Sequence, residues 1–188
     1  MSSIKLKHSG GNSVIIAAPS SNPASDRTIT LPSNADGTIL TDTYKPVFFA
    51  RNNNTQSIPN NTSTKIEFNS EVFDSHGYYD HSTNYRFTPL LAGYYYITAS
   101  IYYVNVNNVY AIDIKKNGSR YVNLDFKVDF AGTRSAFISS LVSFNGSSDY
   151  VEIFGYHTTG SSITIGNGAQ YSITEFSGHF VRALVWAH

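Results

Sequence analysis

Residues 93–106, GYYYITASIYYVNV, narrow the possible folds more than any other stretch. Tyr95, Ile97, Ala99, Ile101 and Tyr103 share one parity, and Tyr94, Tyr96, Thr98, Ser100 and Tyr102 share the other. Side chains alternate across a strand, so the first set makes an apolar face and the second an aromatic-hydroxyl face. No apolar stripe recurs at helical spacing, and β-branched and aromatic residues crowd the segment. The pattern predicts a long strand with its aliphatic face in a sandwich core. Its second face is too rich in tyrosine for ordinary solvent-facing surface. Tyrosine gives large contact area with a polar tip, which suits a subunit interface or a ligand surface.

The flanking sequence repeats this theme in shorter pieces. YKPVFFAR (44–51) precedes the polar stretch NNNTQSIPNNTST, and Lys65 to Phe68 alternates again. Turns are predicted at His76-Gly77 and over Ser82 to Asn84. Val109 to Lys115 leads into Lys116-Asn117-Gly118-Ser119, where Asn-Gly supplies the left-handed conformations of a two-residue hairpin turn. Arg120 to Phe126 returns from it, and Arg134 to Phe144 is followed by the turn NGSSD and the strand Tyr150 to Tyr156. HTTGSSITIGNGAQ (157–170) reads as a glycine and threonine loop before a closing strand over Ser172 to Trp186. About ten short strands at hairpin spacing, with no helical segment, predict an all-β jelly-roll sandwich over residues 44–188.

Residues 1–43 differ. Their apolar pieces, Ile4 with Leu6, Val14 with Ile16, and Ile29 with Leu31, are separated by Gly, Pro, Asn and Ser. Each piece is too short to bury a core alone. The regular supply of Val and Ile favours an arm that orders on docking over a flexible tail.

Formal charge is balanced and 14% of residues are charged, which leaves no basic footprint for nucleic acid. Without cysteine there is no disulfide framework, so packing or oligomerisation must supply stability. No apolar run is long enough to insert in a membrane, and no signal-peptide core follows Met1. The densest polar cluster is Asp74, His76, Asp80 and His81; its spacing along strands and turns does not ensure that metal ligands converge, and an ordinary turn is expected. Neither GxSxG nor HExxH occurs, and no phosphate loop or dinucleotide fingerprint is present. The acidic residues Asp74, Asp80, Asp113, Asp125, Asp129, Glu152 and Glu175 show no pairing of the kind a glycan depolymerase needs. No catalytic residue, cofactor or metal is expected. Recognition remains, with the loops at Asn52 to Ser63 and His157 to Gln170 as a variable outward end rich in small polar residues.

Several of these signals, in this order, resemble the globular head of the complement subcomponent one-q family, which shares a jelly roll with the tumour-necrosis-factor superfamily. The matching positions are Gly77, Tyr79, Asp80, Phe87, Gly93, Tyr95 and Ile97, then KKNG at Lys115 to Gly118, Asn145 to Ile153, and EFSGHFVRAL at Glu175 to Leu184. Asp74-Ser75, Ile97 and Ser147-Ser148 depart from the family pattern, no collagen-like repeat precedes the head, and the family's calcium sites find no ligand cluster here. Separately, SSIKLKHSGGNSVIIAAPSSNPASDRTITLPSNADGTILT is similar to a segment that opens many bacteriophage structural proteins, especially from phages of cyanobacteria. Together the resemblances imply a homotrimeric, non-enzymatic virion protein made in the host cytoplasm. Tyr94, Tyr96 and Tyr102 would lie near the trimer axis. Ile4, Leu6, Val14, Ile16, Ile29 and Leu31 would attach the arm to other virion proteins of the tail or capsid. The head would be a tail-fibre or receptor-binding tip for a host-surface glycan or protein. The alternatives are a capsid decoration protein and, more distantly, a glycan depolymerase.

Overall fold

The computed structural model describes residues 3–7, 9–17, 45–166 and 174–184. Ile29, Leu31 and parts of the expected closing loop and strand (167–173 and 185–186) lie outside the described residues. The chain divides into two compact units, Met1–Ile39 and Leu40–His188. In the first, β1 (Ser3–Lys7) pairs antiparallel with β2 (Ser13–Ala17), with Ile4 opposite Ile16 and Leu6 opposite Val14. Ile4, Leu6, Ile15 and Ile16 are all exposed.

The second unit is an all-β sandwich with no helix among its described residues, hence none that could cross a membrane. Its strands are β3 (Val47–Arg51), β4 (Thr55–Ile58), β5 (Thr64–Lys65), β6 (Ser70–Asp74), β7 (Tyr79–Asp80), β8 (Arg86–Phe87), β9 (Gly93–Val106), β10 (Val109–Lys116), β11 (Ser119–Lys127), β12 (Gly132–Phe144), β13 (Val151–His157), β14 (Ile163–Gly166) and β15 (Glu175–Arg182). One sheet runs β4-β14-β9-β15-β3-β6, with β12 also paired to β9. The other runs β11-β10-β13-β8-β7, with β5 on β13.

The long strand is the hub of the first sheet. Tyr95, Ile97, Ala99, Ile101 and Tyr103 are all buried, and the alternation holds until Asn105, which is exposed at φ 60° and shifts the buried side to Val106. Aromatics fill the space between the sheets. Phe48 stacks on Phe87 at 4.3 Å and Tyr79 at 5.0 Å and meets Phe176 edge-on at 4.9 Å. Such pairs add to simple area burial. Three of the buried phenols find a backbone carbonyl as partner: Phe68 for Tyr79, Leu91 for Tyr95 and Ala111 for Tyr103. Burial pushes all three phenols well above the usual tyrosine range. Gly178, in the middle of β15, leaves room for the same core; a Cβ there would lie 2.7 Å from Ile97 Cδ1 and 2.8 Å from Phe48 Cε1.

The predicted Asn-Gly hairpin joins β10 to β11, with Asn117 at φ 51° and Gly118 at φ 78°. The Asn117 side chain then reaches the following hairpin, accepting from the Tyr150 N–H at 2.9 Å and donating to Asp149 at 2.8 Å.

Two stretches differ from the expectation of plain loops. Residues 52–63 contain β4 and residues 157–166 contain β14, and these strands pair with each other, Ile58 opposite Ile163 and Gln56 opposite Ile165. β4 (TQSI) has one apolar residue and depends on that pairing, whereas β14 (ITIG) turns Ile163 and Ile165 into the core and has strand-forming composition of its own. The expected Lys65–Phe68 strand shortens to β5, although Ile66 and Phe68 still point into the core.

Candidate functional site

The outward face of the first sheet is the most distinctive surface. Antiparallel registers carry two rows across it: Ser139, Thr98, Ser177, Phe49 and Phe73, and beside it Leu141, Tyr96, His179 and Val47. Thr98 and Ser177 share a hydrogen bond at 2.7 Å in the middle, so this small polar centre needs no water. Around it lie Phe73 against Phe49 at 5.9 Å and Tyr96 against His179 at 5.8 Å. Phe73, Tyr96, Phe137, Leu141 and Val181 are all exposed. Arg51 sits over the Phe49 ring and bonds Glu175 at 2.9 Å, which places an ion pair at the rim.

Tyr94, Tyr96 and Tyr102 all fall on this face. Tyr96 is exposed, whereas Tyr94 and Tyr102 are half-buried, and the Tyr102 N–H donates to Thr174 Oγ1 at 3.0 Å. Sequence reading named the tyrosines and missed Phe49, Phe73, Leu141 and Val181. Parity within each strand could have suggested them; only the register between distant strands puts them beside the tyrosines.

A second apolar region follows the open rim between β11 and β12. Tyr121, Leu124, Phe137 and Leu141 are exposed there, and the Tyr121 hydroxyl donates to the Leu141 carbonyl at 3.0 Å. Phe130, in the loop joining the two strands, is 80% exposed.

The two loops expected to form a variable end meet at one end of the sandwich. The Asn61 N–H donates to the His157 carbonyl at 2.8 Å, and the Gly160 N–H donates to Asn60 Oδ1 at 2.7 Å. Tyr156 donates its hydroxyl to Asn61 Oδ1. His157 is fully buried, with Nε2 2.9 Å from the Ile58 carbonyl and Nδ1 accepting from the Thr159 N–H at 3.3 Å. The loops are therefore braced by their neighbours.

The Asp74–His81 cluster is used within the chain. Asp74 accepts the His76 and Tyr79 N–H groups at 3.0 and 2.6 Å, and His81 faces Glu71 at 3.4 Å. Asp80 turns both carboxylate oxygens onto residues 82–84. The Thr83 N–H does most to hold the Asp80 carboxyl well below the usual range; partial burial opposes it, and the Asn84 side chain and further backbone N–H groups add to it. At Asp149, partial burial pushes upward, but bonds from Asn117, Lys116 and the Asn145 N–H outweigh it and leave that carboxyl lowered. A carboxyl lowered in the folded state stabilises above its unfolded pKa and loses that stabilisation as pH falls through the folded value. Stability is therefore expected to decline below about pH 4. In an acid titration followed by far-ultraviolet circular dichroism, Asp80→Asn combined with Asp149→Asn should flatten that decline, at a cost of about 1–2 kcal/mol at neutral pH.

The remaining acidic residues named by sequence are also engaged, apart from Asp129. Asp113 is buried under Arg120 at 3.2 Å and Asn123, Asp125 accepts from Asn123 at 3.0 Å, and Glu152 is buried against Lys65. Asp113 and Glu152 lie diagonally across β10 and β13, with Lys115 and Phe154 at the other corners. Lys115 sits 3.5 Å over the Phe154 ring. This cross-strand lattice closes the outward face of the second sheet around internal partners.

In the first unit, Ile4, Leu6 and Ile16 share one face of a hairpin too small to cover them, and Val14 is opposite Leu6.

The sequence matches no family model, and no curated protein matches it. Solved structures share the fold. The globular domain of zebrafish complement 1qA protein superposes with a TM-score of 0.51 and 16% identity, covering 74% of this chain and 99% of that one. Murine APRIL, in crystals at pH 5.0, gives 0.57 and 8% identity over 73% and 99% of the two chains. Eiger TNF from S. frugiperda gives 0.55 and 6% identity over 77% and 96%. The second unit thus has the jelly roll of complement 1q heads and tumour-necrosis-factor ligands.

Proposed function

We propose that the chain is a non-enzymatic, homotrimeric surface protein of a bacteriophage virion, attached through residues 1–43 and recognising a host-surface glycan or protein through its jelly roll. The observation that carries the assembly is an exposed apolar surface that runs from the Tyr96–Phe73 face through Phe137 and Leu141 to Tyr121 and Leu124 at the β11–β12 rim. Its two ends carry different residues, which suits a head-to-tail contact that closes into a ring. Covering several aromatics per subunit contributes several kcal/mol at about 25 cal/mol per Å², before association costs. The exposed Ile4, Leu6 and Ile16 row suits the attachment role, because a lone hairpin gains stability by docking.

The fixed pairing of acidic side chains with Arg, Lys, Asn and backbone N–H groups supports recognition over glycan cleavage. Sedimentation of the full chain should give a trimer at micromolar concentration; a stable monomer overturns the reading. Quantifying copies per purified virion then separates a tail tip, present in a handful of copies, from a capsid decoration protein, present in many. Deleting residues 1–43 should leave the trimer intact and remove the protein from the virion.

A further inference from the structure

We infer that a depression on the outward side of the β7–β8 ribbon binds an acidic sugar, with Arg86 gripping its carboxylate and Tyr78 and Leu90 flanking its ring. The depression encloses about 280 Å³ and is lined by Gly77, Tyr78, Asp80, Asn84, Arg86 and Leu90, among others. That space suits one sugar residue rather than a long chain. This deepens the recognition reading above but lies within a single chain, so it can stand or fall apart from the trimer.

The charge arrangement is the main argument. Asp80 and Arg86 are direct cross-strand partners, where an ion pair would ordinarily form. Instead Asp80 folds back onto the N–H groups of residues 82–84 and the Asn84 amide, and Arg86 turns to the Tyr150 ring, 4.4 Å from its centroid. Among the described residues, no carboxylate lies within ion-pair distance of Arg86. Lys65, Lys116 and Arg120 on the same sheet meet Glu152, Asp149 and Asp113, whereas Lys115 rests on the Phe154 ring and donates to Ser63 Oγ at 3.2 Å.

The depression therefore holds one cation that no carboxylate among the described residues contacts, while the Asp80 carboxylate beside it is taken up by its own turn; the Arg86 donors stay open to a carboxylate ligand that lies clear of Asp80. A stacked guanidinium is held in plane and keeps its fork of donors for a planar carboxylate. Leu90 is 59% exposed at the margin, and Tyr78 packs against the core beneath, so an apolar wall stands next to the charge. Carboxylate plus apolar ring surface is the chemistry of a uronic acid residue.

The test uses the full-length protein and isothermal titration with trigalacturonate, its carboxyl-reduced neutral trisaccharide and a sulfated trisaccharide. Trigalacturonate should bind with a dissociation constant of about 1 mM or below, and the neutral sugar at least about tenfold more weakly. Arg86→Gln should weaken trigalacturonate binding about tenfold or more, and Arg86→Lys by several-fold because the fork is lost. Leu90→Ala should weaken it about threefold, while Arg120→Gln, on the far side of the same sheet, leaves it unchanged. Thermal melting confirms that each variant is folded; should Arg86→Gln not fold, Arg86→Lys and Leu90→Ala decide the matter. Equal binding of the neutral sugar, binding unaffected by the Arg86 variants, or no saturation at about 10 mM overturns the proposal. Equal or tighter binding of the sulfated sugar also overturns it, because the site would then be a general anion patch. A trimer that fails to bind sinks the sugar site alone, and a monomer that binds sinks the trimer alone.

Discussion

Replacing Tyr96 with glutamate and Leu141 with lysine in one chain is expected to turn the proposed trimer into folded monomers. The two residues face each other across β9 and β12, so opposite charges there satisfy the local strand pair. In a closed assembly the same ion pair would have to leave water, at several kcal/mol per ion, which their mutual attraction offsets only in part. The dissociation concentration should rise about a hundredfold or more, with little change in far-ultraviolet circular dichroism. Sedimentation equilibrium reads this directly. Trimers of unchanged strength would move the interface off this face altogether.

Phe48→Ala is expected to be the most damaging single core truncation. Its ring is fully buried and touches Tyr79, Phe87 and Phe176 at once, so its loss empties the centre of the aromatic cluster. Removing such a ring costs about 3–5 kcal/mol, the transfer term plus the cavity left behind. For a domain of this size that lowers the thermal midpoint by about 10 °C or more. Val47→Ala, one residue away on the outward face, should cost less than about 1 kcal/mol by the same melt. Equal losses at the two positions would mean that the inward and outward parities of β3 are wrongly assigned.

The parts of the fold that could be read from sequence are those encoded within a few residues. The parity of β9 marked its core face, because two-residue periodicity is local. The Asn117-Gly118 turn was legible for the same reason: both residues must take positive φ, and the pair is suited to it. β4 was not legible, since Thr55 to Ile58 looks like loop until it is laid beside Ile163 to Gly166, more than 100 residues away, while the short Ile163-Thr164-Ile165 alternation of β14 was masked by the Gly, Ser and Thr around it. The recognition surfaces divide along the same line. Tyr94, Tyr96 and Tyr102 stood out within one segment, whereas Phe49, Phe73 and Leu141 join them only through cross-strand register. The open charge of Arg86 was hidden entirely, because its neighbour Asp80 is the expected partner and Tyr150 is distant in sequence.

The place of β15 between β3 and β9 has a consequence for biosynthesis. Both flanking strands leave the ribosome well before β15, yet neither can complete its hydrogen bonds on that side until it arrives. A nascent chain would carry two half-sheets with a vacant slot between them, and the Phe48 and Ile97 side chains that close over Gly178 would still face water. Closure must wait for a strand made more than 60 residues after β9, which makes folding slow. During that delay the vacant slot is the point at which a strand from a sister chain could enter by mistake.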